Sequence, residues 1–207
     1  MRFIFAFTVL FLAACGGKQE TASSVSWEGT KDHYLSGTST SIKLPDSFKS
    51  SSKYRIREDL PGLKKSGATL FVIQDALEKF ESEDERIDVF IDTSSNYRFV
   101  TILDAPDKIS IDKGSAAKLG KILMEDYGKM ALSRKNIAVN KLESKIKNNN
   151  QQKLAKFKFE IKDKRKGTKT YATSFFITTS TRTLVIHEFS DSEEDLEFYT
   201  WSLNEGF

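Results

Sequence analysis

The single cysteine of this 207-residue chain lies at position 15, directly after an apolar N-terminal stretch. One positive charge, Arg2, precedes an apolar run from Phe3 to Phe11, a pattern typical of a secretory signal. The run is shorter than the roughly 20 apolar residues that a membrane-spanning helix needs. If Cys15 is used in processing, no thiol remains downstream. We therefore expect a fold without a disulfide, a thiolate metal site or a cysteine nucleophile.

The sequence Leu12-Ala13-Ala14-Cys15 resembles the lipobox of bacterial lipoproteins. The resemblance implies that the Cys15 thiol carries a diacylglyceryl group and that residues 1–14 are removed as a signal peptide. It predicts a protein of the cell envelope, held at the outer membrane by lipid. An ordinary signal peptide with an incidental cysteine is the alternative.

A second short segment bears on localisation. Lys18-Gln19-Glu20 is similar to the export signal of Bacteroidetes surface lipoproteins, a lysine followed by acids, but contains only one acid. Display at the cell surface and retention on the periplasmic side therefore both stay open.

Composition predicts one domain behind a tether. Residues 15–40 are mostly small and polar, which is typical of a flexible segment, although Trp27 leaves open an ordered part that begins there. Residues 41–207 are expected to form the domain. Sixteen Phe residues and 39% hydrophobic residues are enough for a core, while 29% charged residues and a mean hydropathy of −0.42 argue against a membrane-embedded protein.

Hydrophobic periodicity predicts the elements of this domain. Strands are expected at residues 41–44, 87–92, 97–103, 136–146, 155–162, 171–178 and 182–189, and helices at residues 70–80 and 115–132. Ser190 and Glu193 have the spacing of a capping box, which predicts a terminal helix that carries Leu196, Tyr199 and Leu203. In the strand at 155–162, Lys156 and Lys158 belong to the alternating polar face, which is expected to be wet.

These elements predict an α+β fold with a central antiparallel sheet flanked by helices. Seven residues are expected to be buried between the sheet and the helices that contain Leu123 and Tyr199: Phe157, Phe159, Tyr171, Phe175, Ile177, Leu184 and Ile186.

Catalytic motifs are weak in this sequence. His187-Glu188 begins like a zinc-protease motif, but the residue four places on is Asp191 and the segment alternates as a strand. Gly114 and Gly120-Lys121 depart from the spacing of a phosphate-binding loop, and helix packing is the better interpretation. There is no Gly-x-Ser-x-Gly motif. We expect no catalytic residue, no metal ligand and no cofactor.

Two charged clusters remain to be interpreted. Acidic residues at Glu81, Glu83, Asp84, Glu85 and Asp88 lack the order of a calcium loop and are interpreted as a solvated helix end. Basic residues between two predicted strands form a candidate contact for anionic lipid or an acidic partner, with a solvated hairpin turn as the alternative: Lys162, Lys164, Arg165, Lys166 and Lys169. No aromatic residues interleave with them, so nucleic acid is not expected to bind.

The order of elements from residue 41 resembles the PsbP-like family. The resemblance rests on Ile42-x-Leu44-Pro45 followed by Phe48, the helix at 115–132, the hairpin at 171–189 and a terminal helix with Trp201. It implies a central antiparallel sheet flanked by helices and a non-catalytic binding or assembly module. Partner-binding residues of that family have no recognisable counterpart in this sequence.

Two function classes follow from these observations. The first is a lipid-anchored binding or assembly module, whose partner would be an envelope protein or a small ligand. The second is a lipid-anchored hydrolase whose carboxylates meet only in the fold. Two convergent carboxylates with raised pKa values would favour the hydrolase.

Overall fold

The computed structural model describes residues 26–52, 54–59, 87–105, 107–133 and 135–205. The predicted helix at 70–80, the acids at 81–85 and residues 1–25 lie outside these ranges. The described elements, in chain order, are β1 (Thr30–Tyr34), β2 (Thr40–Pro45), β3 (Phe48–Ser51), α1 (Ile56–Asp59), β4 (Ile87–Asp92), β5 (Phe99–Asp104), α2 (Lys113–Ser133), β6 (Ile137–Asn148), β7 (Lys153–Asp163), β8 (Lys169–Thr178), β9 (Thr183–Ser190), α3 (Glu197–Thr200) and β10 (Asn204–Glu205).

A seven-stranded antiparallel sheet forms the centre of the domain. Its strand order is β3-β4-β5-β9-β8-β7-β6. The predicted hairpin is confirmed by the β4–β5 pairing, and the predicted meander by the pairings of β7 with β8 and of β8 with β9. Strand β6, at one edge, has a register shift between Lys141 and Glu143.

One face of this sheet is covered by α2. Tyr127 of the helix packs on the fully buried Phe159, with 4.8 Å between ring centroids. Gly120 allows a close approach, because a Cβ at this position would lie 2.8 Å from Phe157 Cε1. The interpretation of Gly120 as a packing residue is therefore confirmed.

The other face is covered by a second, three-stranded sheet in the order β1-β2-β10. Ile42 and Leu44 of β2 pack there with Phe90, Phe175 and Ile186 of the large sheet. An α+β fold is therefore confirmed in outline, but this second face is covered mainly by the small sheet, with only the four-residue α3 beside it. The consecutive apolar residues of β8 explain this, because a strand that is apolar on both sides must be buried on both sides.

The predicted core is largely confirmed. Phe157, Phe159, Phe175, Ile177, Leu184 and Ile186 are all buried. Phe157 and Phe159 face α2, whereas the other four face the small sheet. Tyr171 is only half-buried, which corrects its place in the predicted core.

The ordered domain begins earlier than residue 41. Strand β1 lies inside the range that the sequence predicts as tether, and it pairs with β2 from Thr30 to Tyr34. His33 is buried against the Phe90 ring at 4.7 Å, and Leu35 is buried as well. These two buried side chains attach the segment to the domain, although most of its residues are polar.

The predicted terminal helix is wrong in length and in its cap. Only Glu197–Thr200 is helical, and the Ser190 hydroxyl accepts the N–H of Ser192, at 2.9 Å, instead of that of Glu193. The physical reason is tertiary: Asp195 and Glu197 form ion pairs with Lys156 of β7, which hold this segment across the sheet.

The large sheet has a proximal end and a distal end. At the proximal end β3 begins and β4, β7 and β9 end, whereas at the distal end β7 begins and β8 ends. The described chain starts at the proximal end, where the Gly29 carbonyl accepts the Asp46 N–H at 2.9 Å in the turn before β3. Among the described residues, no helix has the length and apolar character needed to cross a bilayer.

Replacement of the buried aromatic ring at Phe159 tests the α2 face of the core. We expect Phe159→Ala to lower the free energy of unfolding by about 3 to 5 kcal/mol, because the ring is fully buried against Tyr127. Urea unfolding measures the change. Leu132→Ala, at a side chain that is 87% exposed, is the matched control and should change stability by less than about 0.5 kcal/mol.

Candidate functional site

An open cleft of about 480 Å³ lies at the distal end of the large sheet. We call it the amide cleft. Three segments line it: the residues before α2, the turn between β6 and β7, and the turn between β8 and β9. The lining contains four amide side chains, four hydroxyl side chains, two lysines and one apolar residue, Ile111, and no carboxylate.

The β6–β7 turn forms one wall and is fixed by Asn149. The Asn149 Oδ1 atom accepts the N–H groups of Gln151 and Gln152 at 2.8 and 2.7 Å, and the Asn149 N–H donates to the Gln152 carbonyl at 3.0 Å. Asn side chains stabilise turns in this way. The wall therefore keeps its shape without a ligand.

The opposite wall is fixed by threonine hydroxyls. Thr178 Oγ1 donates to the Ile109 carbonyl at 2.6 Å, and the Ile109 N–H donates to Thr183 Oγ1 at 2.8 Å. The Lys108 ammonium donates to the Ser180 carbonyl. These bonds hold the segment before α2 against the β8–β9 turn.

Gln152 is the unusual residue of this site. Its side chain is only 5% exposed, and its Oε1 atom is buried without a hydrogen-bond partner among the described residues. A buried acceptor without a donor is costly, by about 1 to 3 kcal/mol. A hydroxyl or amino donor from a ligand would remove this cost.

At the start of α2, next to the cleft, the N–H groups of Asp112 and Ser115 already have hydrogen-bond partners. Asp112 Oδ1 accepts the Ser115 N–H at 2.8 Å, and Ser115 Oγ accepts the Asp112 N–H at 2.9 Å. The backbone N–H groups of Ser115 and Gly114 lower the pKa of the Asp112 carboxyl. Recognition in the cleft therefore depends on side-chain amides, hydroxyls and the Lys108 and Lys153 ammonium groups.

A buried ion network covers the middle of β7. The Lys156 side chain is 4% exposed, and its ammonium lies 2.7 Å from Asp195, 2.8 Å from Glu143 and 2.9 Å from Glu197. Lys158 lies 3.0 Å from Asp195 and also donates to the Glu193 carbonyl. The prediction that Lys156 and Lys158 lie on a wet face is therefore wrong, because acidic residues of the C-terminal segment cover them.

Mutual attraction shifts the pKa values in this network. Burial alone would raise the pKa of Glu197, but hydrogen bonds from Lys145, Lys147 and Lys156 outweigh it and hold the pKa at about 2. Burial would also raise the pKa of Asp195, but hydrogen bonds from Lys156 and Lys158 outweigh it and lower the pKa. The pKa of Lys156 is raised, because its three carboxylate partners outweigh burial. Lys156, Asp195 and Glu197 are thus ionised at neutral pH.

A second open cleft, of about 450 Å³, lies near the proximal end. Its lining includes Arg98, Lys158, Asp195 and the ring of Phe198, which is 47% exposed and packs at a tilt against Trp27, with 5.0 Å between ring centroids. Both cations of this cleft form ion pairs: Arg98 with Glu188 at 2.7 Å, and Lys158 with Asp195 at 3.0 Å. Burial raises the pKa of Glu188, although Arg98 and the Leu196 N–H oppose this shift.

The predicted basic cluster divides into two kinds of residue. Lys164, Arg165 and Lys166 are exposed in the β7–β8 turn at the proximal end, and Lys162 is half-buried. Lys169 instead forms an ion pair with Glu160 at 2.5 Å. The structure therefore brings three of the five cations together with exposed side chains that form no ion pair among the described residues.

The histidines and the lipobox complete the predicted residues. His187 is half-buried in β9, and its Nδ1 atom lies 2.8 Å from Ser174 Oγ, so it is a strand residue as expected. Within the described ranges no cluster of His, Cys, Asp and Glu could hold a metal ion. Leu12, Ala13, Ala14 and Cys15 lie outside them.

Sequence reasoning missed the amide cleft. The run Asn149-Asn150-Gln151-Gln152 lies between the predicted strands at 136–146 and 155–162 and carries no predicted site, whereas Gln152 is buried beside the cleft. The available signal was the concentration of four amides between two strands. Nothing in the sequence places the β8–β9 turn and the segment before α2 beside it.

Comparisons with known proteins give a likeness of fold. No known family model matches this sequence, and no curated protein matches it. The solution structure of cyanobacterial PsbP (CyanoP) from Synechocystis sp. PCC 6803 is similar, with a TM-score of 0.53 at 11% identity over 92% of this chain and 100% of that chain. At this identity the likeness shows the fold alone, and it supports the PsbP-like domain that the sequence resembles.

Acid unfolding tests the ion network. The lowered pKa of Glu197 means that its charge stabilises the fold above about pH 4.5 and that this stabilisation is lost as the pH falls toward about 2. We expect Glu197→Gln to lower the free energy of unfolding at pH 7 by about 2 to 3 kcal/mol and to flatten its decline between pH 4.5 and 2. Urea unfolding at stepped pH measures both. The exposed Glu194→Gln is the control, and equal acid dependence of the native and Glu197→Gln chains would contradict the role given to Glu197.

Proposed function

We propose that this chain is a lipid-anchored protein of the bacterial cell envelope, held at the outer membrane, whose domain acts by binding. The ligand class that fits best is a small polar molecule with hydroxyl groups and a negative charge, bound in the amide cleft. The single observation that carries the ligand class is the unpartnered Gln152 Oε1 atom in a lining of amides, hydroxyls and lysines.

The anchor part of the proposal is supported by the lipobox. Cys15 is the only cysteine and stands directly after Leu12-Ala13-Ala14. The lipid on Cys15 is the proposed contact with the membrane, and either face of the outer membrane is compatible with this anchor.

The ligand class follows from hydrogen-bond chemistry. Each side-chain amide offers both a donor and an acceptor, which matches the paired donor and acceptor character of neighbouring hydroxyl groups. Lys108 and Lys153 add positive charge to the lining. Two carboxylates behind the lining are already hydrogen-bonded, Glu205 to the Thr179 hydroxyl and Asp112 to the Ser115 N–H. A hydroxyl of the ligand would donate to Gln152 Oε1 and satisfy the buried acceptor.

The hydrolase alternative has less support. General acid and base catalysis by carboxylates needs two such groups at the reacting bond, with one pKa raised toward neutrality. The amide cleft is lined by no carboxylate. Near the proximal cleft the carboxyl with a raised pKa, Glu188, is buried in an ion pair with Arg98, and the pKa of Asp195 is lowered. We therefore propose a non-catalytic module.

Replacement of Cys15 tests the anchor. Cys15→Ser should abolish incorporation of labelled palmitate, because a serine hydroxyl does not replace the thiol as the acyl acceptor. Metabolic labelling of cells that express either chain is the measurement. Equal labelling of the two chains would contradict lipidation at Cys15 and would leave the cleft untouched as a binding site.

Titration of the detergent-solubilised full chain with D-glucuronate tests the cleft. We expect amide NMR shifts to change in residues 149–153 and 178–180. Lys153→Ala should weaken binding about fivefold, because an exposed ammonium contributes up to about 1 kcal/mol to an ionic contact. Lys49→Ala, an exposed lysine at the proximal end, is the matched control and should bind like the native chain.

Two further probes define the chemistry. D-glucose, which lacks the carboxylate, should bind more weakly than D-glucuronate. Inorganic phosphate should bind more weakly than D-glucuronate, because it lacks the carbon-bound hydroxyl groups. Unchanged shifts in residues 149–153 with all three probes would contradict the proposed ligand class.

A further inference from the structure

The β7–β8 turn presents three cations on a fixed backbone. Asp163 Oδ1 accepts the N–H groups of Arg165 and Lys166 at 2.9 and 3.2 Å. Gly167 has a φ of +70°, which favours glycine, and its N–H donates to the Asp163 carbonyl at 2.8 Å. The backbone of the turn is therefore held in place, while Lys164, Arg165 and Lys166 have exposed side chains with no ion pair among the described residues.

A fourth cation lies beside this turn. The Lys164 N–H donates to the Asn136 carbonyl at 2.8 Å, which brings the segment before β6 against the turn. Lys135, the preceding residue, is exposed. We call Lys135, Lys164, Arg165 and Lys166 the basic tip.

The basic tip and the start of the described chain lie at the same end of the large sheet. Three pairs of opposed residues mark the proximal end across the sheet: Phe48 with Asp92, Phe99 with Phe189, and Tyr171 with Ser190. The β7–β8 turn follows Asp163 at this end, and Gly29 is tied to the turn before β3 at this end. The chain that leads back to Cys15 therefore leaves the domain from the proximal end.

The acidic residues of the C-terminal segment are set back from the basic tip. The Glu193 carbonyl contacts Lys158, which is five residues before the end of β7, roughly 16 Å along the strand. Asp191, after the neighbouring strand β9, accepts a hydrogen bond from Ser95 at 3.1 Å. The Glu193 carboxylate interacts with Lys169 at the start of β8, and Asp163 is buried under the turn. The exposed side chains of residues 164–166 are nevertheless all cationic.

We propose that the basic tip is a membrane-facing surface that binds anionic lipid head groups and turns the proximal end of the domain toward the bilayer. This inference rests on the proposed lipid anchor. Ten residues lie between Cys15 and Ser26, and even a fully extended chain over these eleven residue steps spans at most about 40 Å. Such an anchor confines the domain near the surface, and the basic tip supplies the orientation that a tether alone does not.

The charge of the basic tip determines how strongly the chain should prefer anionic membranes. Each Lys or Arg near a membrane that contains anionic lipid strengthens binding about fivefold, so the three turn cations together give about a hundredfold. A diacylglyceryl group on Cys15 has two acyl chains and holds the protein at the membrane by itself, so the basic tip adds orientation and a preference for anionic lipid. The effect must fall with added salt, because the contact is exposed.

Partitioning of the lipidated full chain between buffer and vesicles tests the proposal. Vesicles of phosphatidylcholine alone are compared with vesicles that contain about one third phosphatidylglycerol. The native chain should prefer the anionic vesicles by about a hundredfold, and high salt should remove the preference. The variant Lys164→Gln/Arg165→Gln/Lys166→Gln should lose most of it.

A matched variant separates position from net charge. Lys113, Lys118 and Lys121 are exposed on the first half of α2, away from the proximal end, so Lys113→Gln/Lys118→Gln/Lys121→Gln removes the same charge elsewhere. It should keep the preference. Hydrogen exchange should show protection of residues 163–169 on anionic vesicles only, and no added protection of residues 149–153.

The possible failures are distinguishable. Failure of the native chain to partition onto phosphatidylcholine would overturn the lipid anchor. An equal loss in both triple variants would overturn the basic tip as the site, because only net charge would matter. A preference that the turn variant leaves unchanged would also overturn the proposal and would assign the turn to an acidic protein partner or to solvent.

Discussion

Two lysine ammonium groups lie on a buried face of the large sheet, and the second layer of the domain depends on them. An ionised ammonium cannot be left without a counter-charge in such a place. Lys156 and Lys158 therefore require Asp195 and Glu197, which draws residues 191–200 across β7. Leu196 is then buried in the same layer, and Ser202 accepts the Lys43 N–H at 2.8 Å, which joins this segment to the small sheet.

Such a network contributes more to specificity than to stability. Burial of paired charges costs free energy that their attraction only partly returns, whereas removal of one partner leaves an uncompensated charge. The C-terminal segment places Leu196, Tyr199, Trp201 and Leu203 on the core, but α3 is only four residues long and does not fix their register by itself. The ion pairs therefore select one position for this segment among those that its apolar residues would allow.

The strands, the long helix and most of the core are predictable from the sequence because alternation and helical spacing are local properties. The small sheet and the buried lysines are not. Alternation in residues 155–162 is the same whether Lys156 and Lys158 face water or face carboxylates 37 to 41 residues further along the chain. The same limit applies to the candidate site, because Gln152 and Thr178 meet only through the pairing of β7 with β8. Only the lipobox, a contiguous motif, predicts a functional residue from sequence alone.

The β7–β8 hairpin carries both proposed functional surfaces, one at each end. β7 has 11 residues, so the amide cleft beside Lys153 lies roughly 35 Å from the basic tip beyond Asp163. A sheet with both faces covered is a stiff spacer, since neither strand bends without loss of packing on one side. Contact of the basic tip with lipid head groups would therefore hold the amide cleft at a defined height above the bilayer, open to ligands of the surrounding compartment. In this arrangement the anchor determines location, the basic tip determines orientation and the cleft determines what is bound.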